Sequence, residues 1–292
     1  MKREIEFIVP DSFEGAKLGG FLRTGCGFSA ALLTKCKKSG LFVNDEPVYV
    51  SRILQSGDTV HAVISEENEQ SENIKPSDEP INIVFENDDV LVVDKPYNMP
   101  THPSHGHYLD TLANAVVGHY DRLGISFRFR CVTRLDRETS GLCVIAKNSY
   151  AHDFLIKRLH TDEFVREYLA LVSGDLTGGG VIDAPICREK ESVILRTVSP
   201  SGECARTAYQ PIEHFGSRTL LRLRLYTGRT HQIRVHTKYI ASPIVGDTLY
   251  RGEKFSRLML HSAYLKLPLP FENRSVNLES PENKNFRNLC AN

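Results

Sequence analysis

The run Arg134-Leu135-Asp136-Arg137-Glu138-Thr139-Ser140-Gly141-Leu142 sets a carboxylate between two guanidinium groups just ahead of a glycine turn. Far downstream, Thr227-Gly228-Arg229-Thr230-His231-Gln232-Ile233-Arg234-Val235-His236 crowds arginine and histidine into one short stretch. Each run interrupts an apolar segment with charge, which a strand needed only for stability has little reason to carry. An aspartate kept ionised by a neighbouring cation can attack an electrophilic carbon or remove a proton. The two runs read as two halves of one active site, with Asp136 as its best nucleophile or base. Taken alone, Asp136 paired with Arg134 or Arg137 on a surface loop accounts for the same residues.

Other chemistries find less support. Gly25-Cys26-Gly27 lacks the third glycine of a dinucleotide loop, and no Gly-Lys-Ser/Thr follows a glycine-rich turn. His102, His105 and His107 suggest a metal site, but they share a proline- and glycine-containing loop with no acidic partner at ligand spacing. Asp136 with Glu138 suggests glycoside hydrolysis, yet nothing makes one of the two selectively protonated. No Gly-x-Ser-x-Gly elbow is present for a serine nucleophile.

The elements that must position these residues divide into two parts. Residues 66–80 read EENEQSENIKPSDEP, six acidic residues against one lysine, and too polar to offset their ordering entropy. They are expected to be a flexible acidic linker between a small domain, 1–65, and a large one, 81–292. The small part shows a helix over 29–38 carrying Lys35, Lys37 and Lys38, then Gly40, a short strand into Asn44-Asp45, and Ser56-Gly57-Asp58 before a last strand. In the large part, strands are expected at 81–85, 90–93, 142–146 and 220–225, and helices at 109–120, 151–159 and about 234–240. Without a regular strand–helix–strand repeat, this is an α+β domain around a mainly antiparallel mixed β-sheet with flanking helices.

Composition bounds the rest. A chain of 292 residues, 41% hydrophobic, can bury a sizeable core in two domains. Its 36 basic and 36 acidic residues cancel, so any surface for a polyanion must be local. Seven scattered cysteines with no Cys-x-x-Cys pair suit a reducing compartment, and no uncharged run reaches the roughly 18 residues of a membrane span. The expected location is the cytoplasm.

Residues 132–142 closely resemble the catalytic signature of the RluA-type pseudouridine synthases. Val93-Asp94-Lys95-Pro96 with His102-Pro103, Tyr168-Leu169-Ala170-Leu171-Val172, the 227–236 run, Pro243-Ile244-Val245-Gly246-Asp247 and Leu258-Met259-Leu260-His261 follow in the family's order. Thr133 stands where the family commonly has histidine, and Glu138 where it commonly has aspartate. The resemblance implies isomerisation of uridine to pseudouridine in structured RNA, with no metal, ATP or redox cofactor. It implies Asp136 as the essential carboxylate, Arg234 as its ion-pair partner and Tyr168 as the active-site aromatic. Arg134 corresponds to a residue that enters the space a flipped uridine leaves, and RNA contacts are expected from Arg229, His231, Gln232 and Leu260.

Residues 13–65 resemble the S-four-like RNA-binding domain, a small α/β module, in which Lys35, Lys37 and Lys38 would face RNA. Over 1–65, eight basic side chains stand against seven acidic, so phosphate affinity is modest and a purely structural cap is the alternative. The extra module favours large-subunit ribosomal RNA as substrate. Transfer RNA is the alternative within the class, and a non-catalytic ribosome-assembly factor the alternative outside it. A monomer is the simplest expectation.

Overall fold

The structure is a computed structural model that describes residues 2–66, 71, 73–190, 192 and 194–291, leaving aside the side chains of 38 and 39. Residues 67–70 and 72 of the acidic segment, and the Lys38 side chain, therefore lie outside the described residues.

The small part is a four-stranded sheet ordered β1-β4-β2-β3, from β1 (Lys2–Ile8), β2 (Leu41–Val43), β3 (Glu46–Pro47) and β4 (Thr59–Ser65). A short turn, α1 (Leu18–Gly20), and α2 (Ala30–Ser39) complete it, and Ser29 caps α2 by accepting from Leu32 N at 3.2 Å. Its core of Leu22, Leu32, Val60 and Ile64 runs on into Tyr150 of the large part.

The large part is built on nine strands ordered β5-β6-β7-β14-β8-β13-β12-β9, with β15 beside β14. These are β5 (Asn82–Glu86), β6 (Val90–Lys95), β7 (Ser140–Ala146), β8 (Val165–Ser173), β9 (Gly180–Asp183), β12 (Arg206–Phe215), β13 (Arg218–Leu225), β14 (Leu260–Pro268) and β15 (Ser275–Glu279). A separate ribbon pairs β10 (Ile186–Arg188) with β11 (Arg196–Val198). Only the β7–β14 contact is parallel, so the α+β, mainly antiparallel expectation holds.

β6 and β7 show no polar alternation because both faces are covered. On one side Leu91 and Val93 pack with Leu112, Val116 and Tyr120 of α3 (Leu112–Arg122). On the other, Val90, Val92 and Val144 pack with Ala151 and Leu155 of α4 (Ser149–Arg158). α3 starts three residues later than its periodicity suggests because Thr111 and Asn114 form a reciprocal capping box. α5 (Gln232–Tyr239) and α6 (Asn283–Cys290) complete the fold, and among the described residues no helix is long and apolar enough to cross a membrane.

The expectation of a free acidic tether needs correcting for its described residues. Glu66 is 4% exposed and pairs with Lys35 at 3.3 Å and Arg130 at 3.0 Å. Ile74 packs on the large core, and Asn114 on α3 donates to Lys75 O at 2.7 Å. Composition missed this because the segment is held by its backbone and a few anchors, not by a hydrophobic face of its own.

Candidate active site

Asp136 sits on the loop between Cys131 and β7, and that loop is pinned on both sides of the aspartate. Thr101 Oγ1 donates to Leu135 O at 2.7 Å and accepts from Leu135 N at 3.2 Å. Lys95, fully buried, donates to Pro96 O, Met99 O and Arg137 O at 2.9, 2.7 and 3.3 Å. Its ammonium is saturated by carbonyls, and burial first of all lowers its pKa to about 8. Thr133 Oγ1 accepts from Val144 N at 2.9 Å, so this threonine ties the loop to β7. Gly141, at φ +109°, lies where any Cβ would stand 2.2 Å from Ser262 O, which only glycine permits as β7 approaches β14.

The second run forms the start of α5. His231 adopts a left-handed conformation at φ 57°, just before the first helical residue. Arg234 is 2% exposed, and its Nε and Nη2 donate to Asp247 at 2.8 and 2.7 Å. Burial is the largest single influence and opposes its charge, but the hydrogen bonds and charge of Asp247, with the charges of Asp136 and Glu138, together raise its pKa. Its Nη2 lies 3.4 Å from Glu138, and its Nη1 3.9 Å from Asp136 Oδ2. The family-derived pair of Asp136 and Arg234 is thus present, though Asp247 is the tighter partner.

His231 Nε2 lies 3.9 Å from the same Asp136 oxygen. Tyr250 accepts from Arg196 N at 3.0 Å and meets His231 Nδ1 at 2.8 Å. Donation of the one Tyr250 hydroxyl proton to Nδ1 places the ring proton on Nε2, facing Asp136. Burial pulls the His231 pKa down, against the pull of Asp136, and favours this neutral form. Among the described residues no hydrogen bond reaches the Asp136 carboxylate, although its side chain is only 30% exposed. The carboxylate is flanked by fixed donors and left unspent.

Tyr168 on β8, Leu260 on β14 and Ile233 on α5 line a recess with Asp136, and burial raises the Tyr168 pKa, keeping the phenol protonated. The recess opens into a cleft of about 830 Å³. Arg134, exposed and without an ion pair among the described residues, stands on its rim, so the simple pairing of Arg134 with Asp136 or Glu138 is not formed. Arg229 reaches Glu203 at 2.5 Å. Gln232 is 3% exposed and spends its side chain on Thr227, Arg229, Arg206 and Thr207, so it shapes the turn from within. Lys35, paired with Glu66, and exposed Lys37 belong to α2 and do not line the cleft.

Thr101 and Asp247 were not singled out as site residues by sequence reasoning, and neither was Lys95. Two of them lay inside stretches that carried the family resemblance, but a role spent on holding backbone or another side chain leaves no spacing to read.

The cleft's residues fall largely within a match of 89–239 to the family model for RNA pseudouridylate synthase. Ribosomal large subunit pseudouridine synthase D of Vibrio cholerae is 39% identical over 234 residues, covering 75% of this chain and 72% of its own. An uncharacterised RNA pseudouridine synthase of Bacillus subtilis, YjbO, is 37% identical over 260 residues, covering 87% and 92%. The solved structure of human RNA pseudouridylate synthase domain containing 1 superposes with TM-score 0.57 at 28% identity, over 70% of this chain and 84% of that one. Motif order, fold and these likenesses agree: the chain belongs to the RNA pseudouridylate synthase family.

Proposed function

We propose that this enzyme isomerises uridine to pseudouridine in large-subunit ribosomal RNA, with Asp136 as the reacting carboxylate. One observation carries the residue assignment: Asp136 faces a cavity, has the Arg234 and His231 nitrogens 3.9 Å away, and spends neither oxygen on a hydrogen bond among the described residues. A carboxylate so held keeps the lone pairs that attack the sugar or ring, or that remove a sugar proton. The ribose–uracil bond breaks, the base turns, and carbon 5 of the ring bonds to the sugar; that carbon gives up its proton, the freed nitrogen takes one, and any bond formed to Asp136 is broken again before the product leaves, so atoms balance.

Tyr168 offers a ring to the uracil and a protonated hydroxyl to the reacting centre. Flipping the uridine costs a few kcal/mol, and Arg134 on the rim is free to occupy the vacated stack. Ribosomal RNA is favoured by the activity for which the Vibrio relative is named and by the small N-terminal sheet, read as an S-four-like RNA-binding module over 1–65. The enzyme then works as a monomer in the cytoplasm, where ribosomal particles assemble.

The test is to map pseudouridine in the RNA of cells lacking the protein. One or more sites in large-subunit RNA should revert to uridine, and return with the wild-type gene but not with Asp136→Asn. Sites lost from transfer RNA instead would move the substrate. Full rescue of a ribosome-assembly defect by Asp136→Asn would make the chain an assembly factor.

A further inference from the structure

Arg166 lies on β8 two residues before Tyr168, so the two side chains share the strand face that borders the cleft. It is 4% exposed, has no carboxylate within ion-pair distance among the described residues, and its Nε has no hydrogen-bond partner. Among the described residues its only polar side-chain contact is Nη2 to His160 Nδ1 at 3.4 Å. That nitrogen also lies 3.1 Å from Tyr226 O; a carbonyl only accepts, so Nδ1 donates there and cannot accept from Arg166. Burial lowers the Arg166 pKa, as expected of a cation desolvated without compensation.

A buried, unpaired guanidinium lowers stability, and a fold that kept it for packing alone would do better with an apolar side chain. The surroundings suit an anion. Arg134 and Arg229 line the same cleft, and among the described residues Asp136 is its only carboxylate. Gly228 leaves the guanidinium open: a Cβ there would stand 3.1 Å from Nη1. A phosphodiester would satisfy the idle donors in the fork geometry that arginine provides.

Resting on the reading of the chain as an RNA-modifying enzyme, we propose that Arg166 is a phosphate-binding residue of the cleft, holding a phosphodiester next to the nucleotide whose base reaches Asp136. It is a positioning residue: it fixes the strand so that the flipped uridine meets the carboxylate, and it takes no part in bond making.

The test compares wild type with Arg166→Met and Arg166→Lys on an unmodified transcript of large-subunit ribosomal RNA. Without RNA, Arg166→Met should melt no lower than wild type, since it removes an uncompensated charge. With RNA, its affinity at low salt should fall about tenfold, and its plot of log affinity against log salt should be shallower by about 0.7–0.9, the signature of one phosphate contact. Arg166→Lys should recover most of that slope, and the loss of turnover should appear in KM more than in kcat. An unchanged salt slope overturns the proposal, as does a Met variant that melts much lower or fails to fold. Binding is read without turnover, so the two readings separate. Wild type that binds but isomerises nothing sinks the isomerase while Arg166 stands on its slope; wild type that isomerises while Arg166→Met keeps the full slope sinks Arg166 alone.

Discussion

Arg234 divides its guanidinium unequally, with two short hydrogen bonds to buried Asp247 and longer contacts to Glu138 and Asp136. Asp247 holds the arginine in place and itself accepts from Leu249 N and Tyr250 N at 3.2 Å, so Asp136 can stay free of strong bonds. Asp247→Asn should therefore cost about 3 kcal/mol in urea unfolding and lower turnover, because Arg234 is left short of charge and misplaced. Native stability in that variant would show that the arginine is held some other way. Tyr168→Phe should keep RNA affinity and lower kcat by about 100-fold, because stacking survives and the protonated hydroxyl does not. A fall in affinity with kcat preserved would make the phenol a binding group. Asp136 stood out in the sequence because charge inside an apolar run is conspicuous, whereas Arg234 was picked from its charged run only by the family resemblance. Asp247, Thr101 and Lys95 were not legible, because their bonds hold backbone or a second side chain and leave no spacing to read.

At the scale of elements, the loop and helix that carry the site depend on how β7, β14 and β15 are joined. His261 on β14, 1% exposed, bridges Ser140 Oγ at 2.8 Å and Ser280 Oγ at 2.9 Å, and Ser280 in turn donates to Asp94. Burial, helped by Arg257, lowers the His261 pKa to about 3. Below the ordinary histidine value the unfolded chain takes a proton that the folded chain refuses. This group's contribution is thus present above about pH 6.5 and lost toward pH 3, by about 1.4 kcal/mol per pH unit. Urea unfolding of wild type near pH 7 and about pH 5 should show this loss, and His261→Gln should remove about 2 kcal/mol of the difference; an equal pH dependence in both would place the titration elsewhere. The strands over 90–93 and 142–146 were legible because burial on both faces writes an unbroken apolar run. The start of α5 was misread by two residues, since nothing in the periodicity reveals a histidine in a left-handed turn or a glutamine folded into it.

Across the whole molecule, an even balance of 36 basic and 36 acidic residues hides a cleft lined by Arg134, Arg166 and Arg229 with Asp136 as the only carboxylate among the described residues. Bulk charge could not show this, because it averages over surfaces that face away from the substrate. The acidic break suggested a boundary in the chain, but not how closely the residues on its two sides pack. Arg3 grips Asp89 at 3.1 and 3.0 Å, Tyr150 donates to Cys26 O at 3.1 Å, and Phe7 and Phe28 meet Phe271 and Tyr150 edge to face. A chain lacking residues 1–65 should melt several degrees lower, since Tyr150 and Phe271 lose their apolar cover. An unchanged melting temperature would mean that this contact contributes no stability.

Release of tritium from carbon 5 of uridine tests the role of Asp136 most directly. Ribosomal RNA labelled at that carbon, taken from cells lacking the protein, would be incubated with excess wild type or Asp136→Asn, both first shown to be folded and to bind the RNA. Release by wild type and none by Asp136→Asn is the expected result. Release by Asp136→Asn at a comparable rate would contradict the assignment of Asp136 as the reacting carboxylate.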